Sequence, residues 1–214
     1  MEGRYLVLSD VHCREWVAES ARALMDQHGL HEVVLLGDIT HFGPPQFAED
    51  FIKALGAKCY AVPGNCDPPG TLTFIESSAI SLHGRKVVVN GRTWGGLGGS
   101  NPSIFRTPSE MPEEEIFRSL SPVMERGMVL VLHCPAHGTF DTPFSNKHVG
   151  STAVRDLIKR TEPLVVLSGH IHEDRGVAKK DGVWYMNPGA AKDRYAGMME
   201  LGEEVKLTLL DLEV

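Results

Sequence analysis

Short apolar runs alternate with helical stretches along the first third of the chain. The apolar runs predict buried strands at residues 4–9, 32–36 and 58–62. The segments between them predict helices at residues 14–28 and 45–55. Each helix is followed directly by a glycine, Gly29 or Gly56, at the position where glycine commonly ends a helix. Strands and helices in this order predict a mostly parallel sheet covered by helices.

The pattern changes from residue 79 onwards. Residues 79–97 carry short strand signals, and the Asn90-Gly91 pair within them favours a hairpin turn. Further strands are predicted at residues 128–132 and 164–168, and further helices at residues 112–120 and 151–160, the last capped by Ser151. Polar loops are predicted at residues 98–109 and 133–150. The C-terminal third is predicted to form antiparallel strands with turns at Asp181-Gly182 and Gly202-Glu203.

Parallel-type strands followed by antiparallel ones predict two sheets packed face to face, with helices outside. The sequence contains no linker, internal repeat or low-complexity segment. We therefore expect residues 1–214 to form a single α/β domain.

Composition narrows the class of protein. The 214 residues are 42% hydrophobic and 23% charged, as in ordinary globular proteins, and no apolar run approaches the length of a membrane-spanning helix. The first residues lack the pattern of a secretory signal, and the four cysteines lack CxxC spacing. We therefore expect a cytoplasmic protein with no membrane partner. The formal net charge of −7 argues against a protein that binds long nucleic acid.

Five polar clusters each follow directly on a predicted strand. They are Asp10-Val11-His12, Gly37-Asp38, Gly64-Asn65-Cys66-Asp67, His133-Cys134-Pro135 and Gly169-His170-Ile171-His172. The carboxyl ends of strands line the ligand crevice in open α/β sheets, so the five clusters could converge on one place. Carboxylate oxygen, imidazole nitrogen and amide oxygen together form the ligand set of a divalent transition metal or zinc. Two such metals can clamp the attacking and leaving oxygens of a displacement at phosphorus.

Each cluster taken alone has an ordinary structural explanation. Asp38 could cap the next helix, Asn65 could be a turn residue, and His133 could be a core histidine with satisfied hydrogen bonds. The pair His170 and His172 is more informative, because residues two apart on a strand point to the same face. The joint pattern therefore carries the prediction of one metal centre.

Together the five blocks resemble the calcineurin-like metallophosphoesterase superfamily. Its signature is Asp-x-His, Gly-Asp, Gly-Asn, a His after a strand, and Gly-His-x-His, and all five occur here in order across residues 10–172. The resemblance implies a four-layer α/β/β/α sandwich with two mixed sheets. Lys147-His148-Val149-Gly150 is similar to a block of the 239FB-related members, and Asn187-Pro188-Gly189 to one of small prokaryotic phosphodiesterases.

The resemblance also implies a division of the ligands between two divalent metal ions. The first metal would be held by Asp10, His12 and His172, the second by Asn65, His133 and His170, with Asp38 as the bridge. Manganese is the first choice of metal, and iron, nickel, cobalt and zinc are alternatives. The expected reaction is in-line attack on a phosphodiester by a hydroxide that the metals share, with Asp38 and Asn65 taking part in catalysis.

Two departures from the family pattern affect the expected substrate. Many members have a histidine directly after the Gly-Asn pair, where it can assist the leaving group, but this chain has Cys66, a poor proton donor by comparison. His41 and His148 are the other candidates for a proton donor or substrate contact. The Gly-Asp pair is also not followed by Asp-Arg-Gly, which argues against a protein serine/threonine phosphatase.

Other functions remain open at this stage. A phosphomonoesterase or a nucleotide pyrophosphatase could use the same site. A metal-poor scaffold or binding module could share the fold, although its ligand positions would usually be eroded. We expect a small phosphodiester or nucleotide-like substrate rather than a nuclease substrate, and the sequence does not predict the oligomeric state.

Overall fold

The computed structural model describes residues 3–143 and 147–213. Its elements, in chain order, are β1 (Gly3–Leu8), α1 (Trp16–His28), β2 (Glu32–Leu35), α2 (Gln46–Leu55), β3 (Lys58–Ala61), α3 (Thr71–Ser78), β4 (Ile80–Ser81), β5 (Lys86–Val89), β6 (Arg92–Leu97), α4 (Glu113–Leu120), β7 (Val129–Leu132), α5 (Thr152–Thr161), β8 (Val165–Leu167), β9 (Gly176–Lys180), β10 (Val183–Asn187), β11 (Tyr195–Leu201) and β12 (Val205–Asp211). A 3-10 turn lies at Ala191–Asp193, between β10 and β11.

The described strands form two mixed sheets of six strands each. The first has the order β12-β11-β1-β2-β3-β4, in which β1 to β4 are parallel and the two C-terminal strands are antiparallel. The second has the order β5-β6-β7-β8-β10-β9, in which the four central strands are parallel and both edge strands are antiparallel. The fold expected from the sequence is therefore confirmed, with helices covering the outer faces.

Alternating side chains on the buried strands produce three apolar layers. On β1, Leu6 and Leu8 pack against the helices α1 to α3, whereas Tyr5 and Val7 point into the space between the sheets. That central layer also holds Trp94, which is fully buried against Tyr5. A third layer lies between the second sheet and helices α4 and α5. The period-2 alternation of the strands thus generates the four-layer sandwich.

Two features differ from the sequence expectations. The pattern does not indicate α3, because its Thr, Ile and Ser residues have weak helix propensity. The C-terminal third is not wholly antiparallel, because β10 pairs in parallel with β8. Residues 144–146 of the predicted loop 133–150 lie outside the described residues, and the prediction of one domain over residues 1–214 stays a prediction.

Two of the three predicted turns are confirmed by their backbone angles, and the third, Gly202-Glu203, lies in the bend that joins β11 to β12. Asn90 and Gly91 have φ of 49° and 76°, and Asp181 and Gly182 have φ of 51° and 84°. Two consecutive residues in the left-handed region are what a tight hairpin between twisted strands needs. Among the described residues, no helix has the length and apolar character needed to cross a membrane.

Candidate metal centre

The five polar clusters meet where the parallel strands of both sheets end. They follow β1, β2 and β3 of the first sheet and β7 and β8 of the second. Contacts between the sheets at this edge include a hydrogen bond of 2.8 Å between His133 Nδ1 and the Leu36 carbonyl oxygen. Within the second sheet, the Gly169 amide after β8 donates to the His133 carbonyl oxygen after β7 at 3.0 Å. The sequence prediction that these distant segments converge therefore agrees with the geometry.

The backbone at this edge is held in an unusual conformation. Asp10, His12, Asp38 and His170 have φ of 58°, 49°, 50° and 69°, in the left-handed region that non-glycine residues rarely adopt. Backbone hydrogen bonds from Asp10 N to Gly37 O (3.0 Å) and from His12 N to Asp38 O (2.9 Å) fix the first two loops to each other. Strained residues of this kind cluster at functional sites, where the surrounding structure holds them in place.

A first group of donor atoms consists of Asp10, His12 and His172. Nε2 of His172 lies 3.0 Å from Oδ1 of Asp10, and Nε2 of His12 lies 3.7 Å from the same oxygen. One ligand atom from each residue falls within 4.8 Å of the others, which is compatible with a single ion. These are the three residues expected to hold the first metal.

A second group consists of Asn65, His133 and His170. Nε2 of His133 lies 2.7 Å from Oδ1 of Asn65, and the rings of His133 and His170 have centroids 5.0 Å apart. The backbone amide of His170 donates to Oδ2 of Asp10 at 3.1 Å, which ties this group to the first.

Asp38 lies between the two groups. Its Oδ2 is 3.7 Å from Nε2 of His12, and its Oδ1 is 3.5 Å from Nε2 of His133. Each carboxylate oxygen of Asp38 therefore faces a different histidine, and the structure brings all seven predicted ligands together.

The donor chemistry of this cluster fits a cation. In the neutral, metal-binding form of His133, Nδ1 carries the ring hydrogen towards the Leu36 carbonyl oxygen, and Nε2 presents a lone pair to Oδ1 of Asn65, which is also an acceptor. Nε2 of His12 is buried without a hydrogen-bond partner among the described residues. Buried polar atoms without partners are costly, and a bound cation would satisfy both positions.

The electrostatics of the protein groups agree with that fit. Burial, reinforced by the neighbouring Asp10 and Asp67 carboxylates, raises the pKa of Asp38 above its usual range in spite of His133. Burial also tends to raise the pKa of Asp10, but the hydrogen bond and charge of His172 prevail and hold it below its usual range. Burial lowers the pKa of His12 to about 4 and that of His170 to about 3. Both imidazoles are therefore neutral near pH 7, which is the form that binds metal.

Asp67 fixes the loop that follows β2 to the loop that follows β3. Its carboxylate is fully buried and accepts hydrogen bonds from the backbone amides of Ile39 (3.2 Å), Thr40 (2.7 Å) and Gly64 (2.7 Å). The loops approach so closely that a Cβ on Gly64 would overlap the carboxylate of Asp38. Glycine at this position is therefore required by space rather than by a turn.

Thr107 orients the Asn65 amide, a role that the sequence does not reveal. Its hydroxyl accepts from Nδ2 of Asn65 at 2.9 Å and donates to Oε1 of Glu110 at 2.9 Å. These two hydrogen bonds orient the Asn65 amide so that its Oδ1 faces His133. Thr107 lies in a loop of ordinary Gly, Ser and Pro composition, so no sequence signal marks it.

Asn187 supports the loop that carries His170 and His172. Its amide nitrogen donates to the carbonyl oxygens of Ile171 (2.7 Å) and Asp174 (3.1 Å), and its side-chain oxygen accepts from the Gly189 amide (2.9 Å). The Asn187-Pro188-Gly189 block therefore fixes the backbone of the loop that carries the two histidines.

The three further candidate residues have different surroundings. Nδ1 of His41 lies 3.2 Å from Nδ1 of His12, and Cys66 is close enough to both histidines to share an ion. Burial, reinforced by nearby carboxylates, raises the pKa of the Cys66 thiol, so it stays protonated. Nδ1 of His148 lies 2.6 Å from Oδ1 of Asp141. Among the described residues, His148 makes no hydrogen bond to the seven clustered side chains. A substrate contact by His148 stays a prediction.

Comparison with known proteins gives a family and a fold. Residues 4–200 match the family model of the calcineurin-like phosphoesterase superfamily domain. An uncharacterized protein of Methanocaldococcus jannaschii is 33% identical over an alignment of 170 residues, which covers 73% of this chain and 76% of that relative.

Two solved structures are similar to this chain in fold. One is a dimetal phosphatase from Danio rerio, with a TM-score of 0.66 and 12% identity over 99% of each chain. The other is an archaeal phosphodiesterase, with a TM-score of 0.55 and 16% identity over 97% of this chain and 99% of that one. At such low identity these likenesses show the fold alone.

Replacing Thr107 with valine tests the orientation of Asn65. The change removes the hydroxyl that accepts from Nδ2 but keeps the side-chain shape, so we expect the affinity for Mn²⁺ to fall roughly 10–100-fold. Titration calorimetry on the metal-free protein measures this affinity. Thr93→Val is the control, because the Thr93 hydroxyl donates to Glu125 away from the clusters. Equal Mn²⁺ affinity in Thr107→Val and wild type would contradict the assigned role.

Proposed function

This chain belongs to the calcineurin-like phosphoesterase superfamily, and we propose that it hydrolyses phosphodiesters with two divalent cations held by the seven clustered side chains. The five motifs predicted this superfamily, and the match to its family model confirms it. The chain is therefore a metal-dependent phosphoesterase. The number of metals, their identity and the preference for diesters are the finer parts of the proposal.

The position of Asp38 is the observation that carries the two-metal proposal. A carboxylate whose two oxygens face His12 on one side and His133 on the other can serve two cations at once. The two groups of side chains would then hold separate ions. Asp10, His12 and His172 would hold the first, and Asn65, His133 and His170 would hold the second. A single ion would leave one of the two groups of buried acceptors unsatisfied.

The protein side chains position the reaction around that pair. When bound, two divalent cations activate water for attack at phosphorus and stabilise the charge that develops on the phosphoryl oxygens. Asp38 fixes the spacing of the two donor groups. The Asn65 amide hydrogens face Thr107 (2.9 Å) and, weakly, Cys66 (3.6 Å), so Asn65 acts through its side-chain oxygen rather than as a donor to the phosphoryl group.

His41 acts on His12. If Nε2 of His12 binds a metal it holds a lone pair, and Nδ1 then carries the ring hydrogen and can donate to Nδ1 of His41, which lies 3.2 Å away. His41 therefore fixes the tautomer and orientation of His12, a role that partners of metal-binding histidines commonly play.

The proposed substrate preference follows from the lack of a strong proton donor for the leaving group. The buried Cys66 thiol is a poor acid, and Nδ1 of His41 is engaged with His12, which leaves only Nε2 of His41 to assist a leaving group. Substrates whose leaving group departs without protonation should therefore react fastest, which favours aryl diesters. The net charge of −7 agrees with a small substrate rather than long nucleic acid, and manganese is the proposed metal.

Asp38→Asn tests the bridge. An amide offers one acceptor oxygen instead of two, so we expect the purified protein to lose at least one of two bound ions and activity to fall by about 100-fold or more. Metal content measured by plasma mass spectrometry and hydrolysis of bis(4-nitrophenyl) phosphate with added Mn²⁺ give the two readouts. Asp26→Asn, an exposed change on α1, is the control. Full metal content and full activity in Asp38→Asn would refute the bridging role.

The choice of substrate is a separate test. With added Mn²⁺ we expect faster turnover of bis(4-nitrophenyl) phosphate than of glycerol phosphate, because nitrophenolate leaves without a proton and an alkoxide does not. Initial rates at equal substrate concentration measure the ratio. Faster hydrolysis of glycerol phosphate would reverse the ranking and favour a phosphomonoesterase.

A further inference from the structure

Exposed apolar side chains concentrate around the metal centre. In the described part of the chain, seven large apolar residues are exposed, and Ile80, Val88 and Phe117 among them lie on β4, β5 and α4. The other four lie in loops that follow β2, β6 and β7 at the edge where the clusters meet, namely Phe42 (55%), Ile104 (90%), Phe105 (79%) and Val149 (40%). We call these four residues, Phe42, Ile104, Phe105 and Val149, the apolar rim. Exposed apolar groups that cluster in this way mark a binding surface, whereas scattered ones do not.

The rim is attached directly to the proposed ligands. The loop that bears Ile104 and Phe105 is anchored at its base to Asn65, through Thr107 to its side chain (2.9 Å) and through the Ser109 amide to its carbonyl oxygen (3.0 Å). The Asn101 side chain of the same loop donates to the Val149 carbonyl oxygen at 3.0 Å. Two segments of the rim therefore form one connected border.

Phe42 lies beside the metal centre on the loop that follows β2. Its amide donates to the Cys66 carbonyl oxygen at 2.9 Å, and its ring lies against His41 with centroids 4.6 Å apart. His41 in turn lies against His12 at 5.1 Å. Phe42 and the loop of Phe105 are thus anchored on the consecutive residues Cys66 and Asn65.

We propose that the apolar rim binds the organic substituent of the substrate, so that the physiological diester carries an aromatic or aliphatic group. This inference rests on the proposed phosphodiesterase function. A diester bound through its phosphoryl group at the clusters must extend its two organic groups against the loops that border them. Those loops present phenyl and aliphatic side chains, which favour an apolar partner over a sugar phosphate.

Other occupants of the rim fit the charges and geometry less well. An anionic bilayer would be repelled by a chain of net charge −7. A second copy of the chain would cover the metal centre and block the substrate. A small organic ester satisfies the rim and the cations at the same time.

Binding of two matched diesters tests the proposal without relying on turnover. Diphenyl phosphate and dimethyl phosphate carry the same charge and differ only in their organic groups, and titration calorimetry on the Mn²⁺-loaded protein gives both dissociation constants under conditions where phosphorus NMR shows both diesters to remain intact. We expect the wild type to bind diphenyl phosphate roughly tenfold or more tightly than dimethyl phosphate, because only the phenyl groups remove apolar surface from water. Phe105→Ser and Ile104→Ser should each reduce this ratio and leave the affinity for dimethyl phosphate unchanged.

Two controls separate the rim from general damage and from the catalytic proposal. Val88→Ser removes an equally exposed apolar side chain from β5, away from the ligand loops, and should keep the wild-type ratio, while Phe105→Leu should keep most of it. Equal affinities for the two diesters in the wild type, or a ratio that survives both serine variants, would overturn the inference. So would sedimentation showing a wild-type dimer that Phe105→Ser dissociates. A protein that binds diphenyl phosphate selectively but hydrolyses no diester would refute the proposed function and keep the rim.

Discussion

Two carboxylates, Asp10 and Asp38, are buried together at the edge where the two sheets meet, and the surrounding structure is arranged around that fact. Like charges in a low-dielectric setting repel each other, and the neutral imidazoles of His12 and His170 supply no positive charge to relieve the repulsion. Burial and this repulsion raise the pKa of Asp38, while His172 keeps Asp10 ionised. A pair of cations at this place would satisfy both carboxylates and the buried histidine lone pairs.

The neighbouring residues serve to keep these groups in place. Asp67 joins two loops through three backbone amides, Thr107 turns the Asn65 amide, and Asn187 supports the histidine loop. Left-handed backbone at Asp10 and Asp38 shows that the site is held against local preference. The strands that lead into these residues hold the strained backbone in place, because Leu6 to Leu8 of β1 and Val33 to Leu35 of β2 are buried on both faces. The sandwich thus provides the rigidity that a preorganised metal site needs.

Sequence reasoning anticipates the strands, the layers and the seven clustered side chains, since each motif follows a clear apolar run. His170 and His172 illustrate why, because a two-residue spacing at a strand end gives a strong geometric signal. Helix α3 escapes prediction because its β-branched and serine residues have little helical preference and tertiary packing decides its conformation. Thr107 and the apolar rim escape it for another reason. Their roles depend on which loops become neighbours, and loop composition does not encode that information.

Anomalous diffraction from crystals grown with Mn²⁺ tests the central claim most directly. The account predicts two separate peaks, one beside Asp10, His12 and His172 and the other beside Asn65, His133 and His170, with Asp38 between them. A single peak would contradict the account. So would an ion bound instead by His12, His41 and Cys66, the other donor group at this edge.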